Sequence, residues 1–399
     1  MRAASSFLPR WEVLVGTLAL AGLALSGRTD TRQAWTAVRQ VLPALAFLVA
    51  VLVLARMCAD AGLFEAIGAE VARAGRFSPA RLTGLGFLTA AVVTAVLNLD
   101  ATVVLLGPVL VAAAVRVGLS PRPAAWTSVR LANSASTLLP VSNLTNLLAF
   151  SASGLTFLRF AWLMWPVWLV ALAGEWLVLR VCFRTDLRPA VVSATPDEPV
   201  PLPRLPLVVV GGVLAGFVLG SPLHVAPAWP AAVGAAVLVA AELGRRETSV
   251  GHVLRAAGLP LAYFVGCWVV VVAQVAGSPA GRWVAGVVPE RTDLPGLVTI
   301  SLVAMVSANV VNNLPATLLL LPFVAPLGAT AVLALLVGVN VGASLSYVGS
   351  LANLLWLRTL AGGRPGAREF HLLGLTTTPL IVLACASTLW AWTSMLGRT

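Results

Sequence analysis

The stretch Asn98–Pro108 (NLDATVVLLGP) returns as Asn313–Pro322 (NLPATLLLLP), at an offset of 313 − 98 = 215 residues. A second pair follows in the same order. Asn133, Ser136 and Ser142-Asn143-Leu144-Thr145-Asn146 answer to Asn340, Ser344 and Gly349-Ser350-Leu351-Ala352-Asn353, so that Asn133 matches Asn340, Asn143 matches Ser350 and Asn146 matches Asn353 at an offset of 207. Two blocks repeated in order mark an internal duplication, and a duplicated apolar chain points to a transporter whose site lies between its halves. The change from 215 to 207 implies a shorter connection in the second half.

Around these blocks the chain is built for lipid. Of its 399 residues, 59% are hydrophobic and 10% charged, with a mean hydropathy of +0.94. An ordinary soluble domain carries roughly 25% charged residues. Apolar runs near the roughly 18–20 residues that cross a bilayer recur from end to end, and with the shorter pieces between them predict about ten or eleven transmembrane segments. The first, Trp11–Ser26, runs into Gly27-Arg28 without a small-residue cleavage pattern and reads as a retained helix.

All 26 basic residues are Arg, and they stand dispersed at segment ends rather than on one basic face. That pattern orients a membrane protein and does not suggest a nucleic-acid partner. The cysteines Cys58, Cys182, Cys267 and Cys385 lie far apart in apolar surroundings and read as small buried hydrophobes. The histidines His224, His252 and His371 fall at segment edges without ligand spacing, so no metal or cofactor is expected. The polar, Pro-rich stretch Arg184–Arg204 divides the chain. Residues 1–40 are then an N-terminal transmembrane helix and loop, 41–183 the first transport repeat, 184–204 a cytoplasmic linker and 205–399 the second repeat.

Polar clusters inside hydrocarbon need a partner, because an unsatisfied polar group there is costly. Asn98-Leu99-Asp100 and Asn312-Asn313-Leu314-Pro315 interrupt apolar runs, and Pro315 removes a backbone donor and disfavours helix at Leu314. Both predict discontinuous helices whose broken ends offer free N–H and C=O groups near the bilayer midplane. The blocks Ser142–Asn146 and Gly349–Asn353 lie between apolar stretches too short to cross alone, which predicts re-entrant hairpins tipped by amides and hydroxyls. The candidate substrate-binding residues are Asn98, Asp100, Thr102, Asn133, Ser142, Asn143, Thr145 and Asn146 in the first half. In the second they are Asn312, Asn313, Thr317, Asn340, Ser344, Ser350 and Asn353. The plainer reading, that such residues join helices to one another, holds better for a lone Asn than for paired clusters.

Asp100 is the acid of the repeated blocks, and an ionisable residue at membrane depth is a candidate for proton or ion coupling. Pro315 takes its place in the second half, so the halves cannot bind ions identically. Arg130 precedes Asn133 by three residues, where it would neutralise Asp100 or an anionic substrate, or snorkel to the interface. Glu175 reads as a helix-end charge. The chain lacks the paired Asp motifs, His-rich set or Ser/His pair that a membrane-embedded enzyme needs, so it is read as no enzyme.

These motifs resemble the arsenite/antimonite permeases (arsenical pump membrane proteins) of the ion transporter superfamily, which also holds dicarboxylate and sodium/proton carriers. The matching stretches are Asp100–Pro108, Val141–Asn146 (VSNLTN), Phe157–Phe160 (FLRF), Val311–Thr317 (VNNLPAT) and Gly349–Leu357 (GSLANLLWL). The resemblance implies an all-α polytopic protein of the plasma (inner) membrane, with two inverted repeats, each holding a re-entrant hairpin and a discontinuous helix. It implies export of arsenite or antimonite coupled to proton entry, with a soluble ATPase and a second copy of the chain as candidate partners beside the lipid bilayer. The alternative in the same superfamily is a carrier of inorganic anions or dicarboxylates, or a sodium/proton antiporter. The chain departs from the family pattern at Asn133 and Asn340, where Asp is expected, and at Ser344 and Tyr347, where Lys and Pro are. Arsenite at neutral pH is an uncharged trihydroxide that amides and hydroxyls can hydrogen-bond without counter-charge. A dicarboxylate would need positive potential from helix N-termini and Arg130.

Overall fold

The computed structural model describes residues 11–25, 30–75, 78–187, 200–223, 225–276, 278–359 and 366–397. Most of the expected linker, 188–199, therefore lies outside the described residues, as do His224 and the first ten residues. Among the described residues every regular element is a helix, as hydrocarbon demands of a chain that must satisfy its backbone within each segment. Six helices among the described residues are long and apolar enough to cross a membrane, and shorter apolar helices accompany them. Large side chains such as Leu177, Val181, Val208, Leu219, Trp229 and Leu380 point outward, where only lipid can receive them without penalty.

Two long helices, Phe157–Cys182 and Ala367–Leu396, give the scale. They run antiparallel: Gly174 meets Ile381, Cys385 Sγ lies 3.7 Å from the Val167 carbonyl, and Trp392 Nε1 donates to the Trp162 carbonyl at 3.0 Å. Along the first of them lies the chain from Arg122 to Ser153. Trp126 packs on Phe183, Ser134 reaches Glu175, and Trp168 Nε1 donates to the Ala135 carbonyl. The helix Arg122–Ser134 thus starts beside the end of Phe157–Cys182 and runs back along it, and Leu144–Ser153 completes the path to the start of that helix. Together these two short helices make one crossing, interrupted at residues 135–143.

The Asn98 block has the other geometry. Gly86 faces Leu110, and Pro79 and Leu82 share a pocket wall with Ala114 and Leu119. Those pairs centre on residue 98, so Pro79–Val96 and Gly107–Arg116 are the arms of a hairpin with Asn98 at its tip. In the second half Ser301 Oγ donates to the Ala334 carbonyl and Gly338 lies against Ala304. The helix Ala329–Asn340 therefore begins beside the start of Leu294–Val311, and Asn313–Val324 has to fold back to reach it.

Both predicted elements exist, with their blocks exchanged. The Asn98 and Asn313 blocks tip the re-entrant hairpins, and the Asn143 and Ser350 blocks interrupt the crossing helices. The eight-residue difference in offset falls in the return arm, Asn313–Val324 being shorter than the stretch Ala101–Arg116, rather than in the connection alone. Pro315 does not break its helix either. It sits in the first turn of Asn313–Val324, where its missing N–H would have had no partner. The break is made by Asn312, at φ 81° and ψ 152°, a region almost reserved for Gly that costs about 1–3 kcal/mol. Its Nδ2 donates to the Val348 carbonyl at 2.9 Å, which holds the turn in place.

The halves are inverted. The first interrupted crossing starts at the side of the linker, where Arg122 pairs with Asp186 and Glu369. The second ends there: Trp356 Nε1 donates to the Ala125 carbonyl at 3.0 Å. Packing is reciprocal as well, Trp11–Leu25 lying on Leu259–Ala276 and Ala228–Gly244 on Thr31–Asp60.

Helix contact in a membrane relies on close approach at small residues. A Cβ built on Gly338 would stand 2.2 Å from the Ser301 carbonyl oxygen and 2.5 Å from Ala304 Cβ. Gly338→Ala is expected to force these helices apart and lower the thermal unfolding midpoint by several degrees, while Gly266→Ala, which meets nothing within 4 Å, leaves it unchanged. Measuring both midpoints in the same detergent checks this.

Candidate functional site

Each hairpin tip is organised by its own polar side chains. Asn98 Oδ1 accepts from the Ala101 N–H at 2.7 Å, starting a wide π-helical turn over Ala101–Leu106, and such turns recur at functional sites. Thr94 and Thr102 hydroxyls meet at 2.7 Å across the hairpin. In the second tip Thr317 Oγ1 donates to the Asn313 carbonyl at 2.7 Å, as Thr102 does to Asn98 at 3.4 Å.

The interruptions of the crossing helices are built alike. Asn146 Nδ2 donates to the Ser136 and Leu139 carbonyls at 2.6 and 2.8 Å, and Asn353 Nδ2 donates to the Ala343 and Ser346 carbonyls at 2.9 and 2.8 Å. These carbonyls correspond at the same offset of 207 (136 + 207 = 343; 139 + 207 = 346). Asn143 and Ser350 both adopt extended backbone and cap the helix that follows, Asn143 Oδ1 accepting from Thr145 N–H and Ser350 Oγ from Asn353 N–H. Ser142 Oγ ties the first interruption to its hairpin through the Ala95 carbonyl at 2.7 Å.

The halves then lock to each other through amides. Asn133 Nδ2 donates to Asn353 Oδ1 at 2.7 Å, and its counterpart Asn340 Nδ2 donates to Asn146 Oδ1 at 2.6 Å. Asn340 Oδ1 also accepts from Asn143 Nδ2 at 2.9 Å and Thr145 Oγ1 at 2.7 Å. The matching positions in the second half are Ser350 and Ala352, too short to return those bonds, and Asn133 Oδ1 is left buried without a partner among the described residues, as is Ser344 Oγ.

Where the tips and interruptions meet lies a cavity of about 50 Å³. Its polar lining is Asn98, Asp100, Asn143 and Asn313. Those four expected residues converge; Thr102, Thr317, Ser142, Thr145, Asn146, Asn133, Asn340, Asn353, Ser350, Ser344 and Asn312 are not among its lining, and most of them hold the frame around it. Leu99, Val141, Leu144, Leu314 and Leu351, from the repeated blocks and beside them, complete part of the wall; sequence reasoning missed the part supplied by other helices, Phe47, Leu48 and Val51 from Thr31–Asp60 and Leu261 from Leu259–Ala276. The spacing of Phe47 and Val51 by one helical turn was the available signal.

Asn98 and Asp100 also line a wider vestibule of about 410 Å³ that reaches Arg56 and Arg255 on the linker side. Arg130 is not part of either space. It lies buried against Glu175, with Nε on Oε2, Nη2 on Oε1 at 3.3 Å and Nη2 on Thr377 Oγ1 at 3.1 Å, while Ser134 Oγ donates to Glu175 Oε1 at 2.6 Å. Its expected roles beside Asp100 or at the interface are thereby corrected, and so is Glu175, which is 1% exposed and mid-helix rather than at an end. Of the cysteines, Cys58, Cys267 and Cys385 are buried and Cys182 is exposed.

The profile of the family described as "Citrate transporter" (CitMHS) matches residues 10–338. The chain belongs to that family. Among curated proteins it is similar to an arsenical pump membrane protein of Escherichia coli, at 27% identity over 88% of this chain and 85% of that one. It is similar at 28% to the arsenical pump membrane protein of Yersinia enterocolitica, over 80% and 78% of the two chains. An uncharacterized transporter of Mycobacterium tuberculosis is 27% identical over 86% of this chain and 84% of its own length. Among solved structures the YdaH transporter of Alcanivorax borkumensis, described as having an unusual topology, shares the fold with a TM-score of 0.62 at 18% identity. It covers 91% of this chain and 87% of that one. This CitMHS-family chain is thus a multi-pass membrane transporter of the ion transporter superfamily, related to the arsenical pumps.

Proposed function

We propose that the cavity between the hairpin tips and helix interruptions is the substrate site of a secondary carrier that exports arsenite or antimonite, driven by proton entry through Asp100. One observation carries the reading: the cavity presents three amides and one carboxylate, with no cation among the described residues of its wall. A cavity of about 50 Å³ offers roughly three to five water-sized positions, the size of a trihydroxide with four heavy atoms. Its hydroxyls would donate to amide oxygens and to Asp100 and accept from amide N–H groups, so an uncharged ligand is satisfied without a counter-ion. The relatives named as arsenical pumps support this choice over the larger polycarboxylates suggested by the family's description. The same reading takes residues 41–183 and 205–399 as the two transport repeats. It places the linker in the cytoplasm, since Arg56, Arg204, Arg245, Arg246 and Arg255 gather on that side.

Everted membrane vesicles carrying the protein should accumulate arsenite when acidified inside. Asp100→Asn is expected to abolish the response to the proton gradient while leaving exchange of arsenite across the membrane. Well-inserted protein that fails to accumulate arsenite, or an Asp100→Asn variant still driven by protons, would overturn the respective half of the proposal. The vestibule arginines favour one second reading, an anion carrier on the same fold, which sodium- or proton-dependent uptake of citrate in place of arsenite would establish.

A further inference from the structure

Arg56 and Arg255 have no task in the proposed handling of an uncharged ligand, yet both line a space that leads from the linker side to Asn98 and Asp100. Arg255 also lines an outer basin of about 1030 Å³, shared with Arg204 and Arg245 and with the carboxylates Asp60, Glu242 and Glu247. Basin, vestibule and cavity therefore adjoin in sequence, the first two through Arg255 and the last two through Asn98 and Asp100.

We infer that Arg56 and Arg255 form a receiving site for a multiply charged oxyanion at the vestibule mouth, distinct from the inner cavity. Arg56 is held in position: Nη2 lies 2.9 Å from Asp60 Oδ1, Nε lies 3.3 Å from Asp60 Oδ2, and the same Nε lies 3.2 Å from His252 Nε2. Its Nη1 edge keeps donors free of these bonds, and a guanidinium fixed on one edge is already oriented to grip an oxyanion with the other. Arg255 stands on the short helix Val250–Ala256, is exposed, and forms no ion pair among the described residues. One guanidinium is thus anchored and the other free to close on a ligand.

The remaining wall is largely apolar, with Leu52, Ala55, Val104, Leu105 and Leu355, which strengthens a charge-assisted contact relative to open water. Asp100, at the inner end, opposes the passage of an anion that has not lost charge. The mouth then retains oxyanions and the cavity admits neutral species. This step rests on the vestibule being the cargo's route, but the binding itself does not. A soluble phosphate-like ion and the headgroup of an anionic lipid offer the same chemistry.

The test is the thermal unfolding midpoint of the purified full chain, titrated with inorganic phosphate at constant ionic strength. Parallel samples sit in nanodiscs of phosphatidylcholine with and without phosphatidylglycerol. Phosphate should raise the midpoint of the unaltered protein, and Arg255→Gln should weaken the apparent affinity about tenfold. Arg291→Gln, which removes an exposed charge in a separate loop, serves as the control. A rise caused by phosphatidylglycerol, lost in Arg255→Gln, assigns the site to lipid headgroups and still supports it. No response to either probe, or equal responses in Arg255→Gln and the unaltered protein, overturns the inference. Binding needs no transport, so vesicles that failed to move arsenite would leave this outcome unaffected.

Discussion

Glu175→Ala is expected to destabilise the protein by about 3–5 kcal/mol, because it strands a buried guanidinium. Arg130 and Glu175 are 3% and 1% exposed, and they bridge the first interrupted crossing to the long helix beside it. Thr377 extends the network to the helix Ala367–Leu396. Once the carboxylate is gone, Thr377 alone cannot compensate the charge, and water at membrane depth is scarce. Replacing both partners, Arg130→Met with Glu175→Leu, should recover most of the loss, since an apolar pair of similar volume often stabilises as well as the ions did. Unfolding midpoints of the two variants and the double replacement decide the matter. A single Glu175→Ala variant as stable as the unaltered protein would mean that the pair is hydrated.

This network also shows where sequence reading ends. Arg130 and Glu175 are 45 residues apart and on different helices, so their pairing depends on which segments lie side by side. The repeated blocks, by contrast, were legible because duplication writes the same polar residues twice. That gave the duplicated architecture and four cavity-lining residues, Asn98, Asp100, Asn143 and Asn313, while the inversion of the halves came only as what the family resemblance implies.

The exchange of hairpin and interrupted crossing has a related cause. Apolar run, polar break, apolar run is the pattern of both elements, and hydropathy carries no sign for the direction taken after the break. What separates them is the partner of each arm: Gly86 against Leu110 in the hairpin, and Trp126 and Trp168 spaced along one long helix in the crossing. The wall residues Phe47, Leu48, Val51 and Leu261 were hidden for a simpler reason. In a chain this apolar, a leucine facing a ligand looks like one facing lipid.

Asn340→Ala should have the largest effect on the site itself, and a greater one than the same change at its counterpart Asn133. Asn340 makes three bonds to the first half: Nδ2 to Asn146, and Oδ1 from Asn143 and Thr145. Asn133 returns one bond to the second half, through Asn353, and its Oδ1 has no partner to lose among the described residues. Interhelical hydrogen bonds in membranes average about 0.6 kcal/mol with a maximum near 1.7, so three of them predict a loss of roughly 2–5 kcal/mol and one predicts below about 2. The functional contrast is sharper than the energetic one. Asn143 lines the cavity and is held by Asn340, so a truncated Asn340 frees a cavity-lining amide to rotate, whereas Asn133 touches no cavity residue through its side-chain bonds. Asn340→Ala is expected to weaken arsenite accumulation in vesicles at least tenfold, and Asn133→Ala to keep most of it. Asn340→Gln has the right groups on a longer stem and should restore stability more than transport. Equal losses at the two positions would mean that the symmetric crossing, and not the one-sided hold on Asn143, sets the geometry of the site.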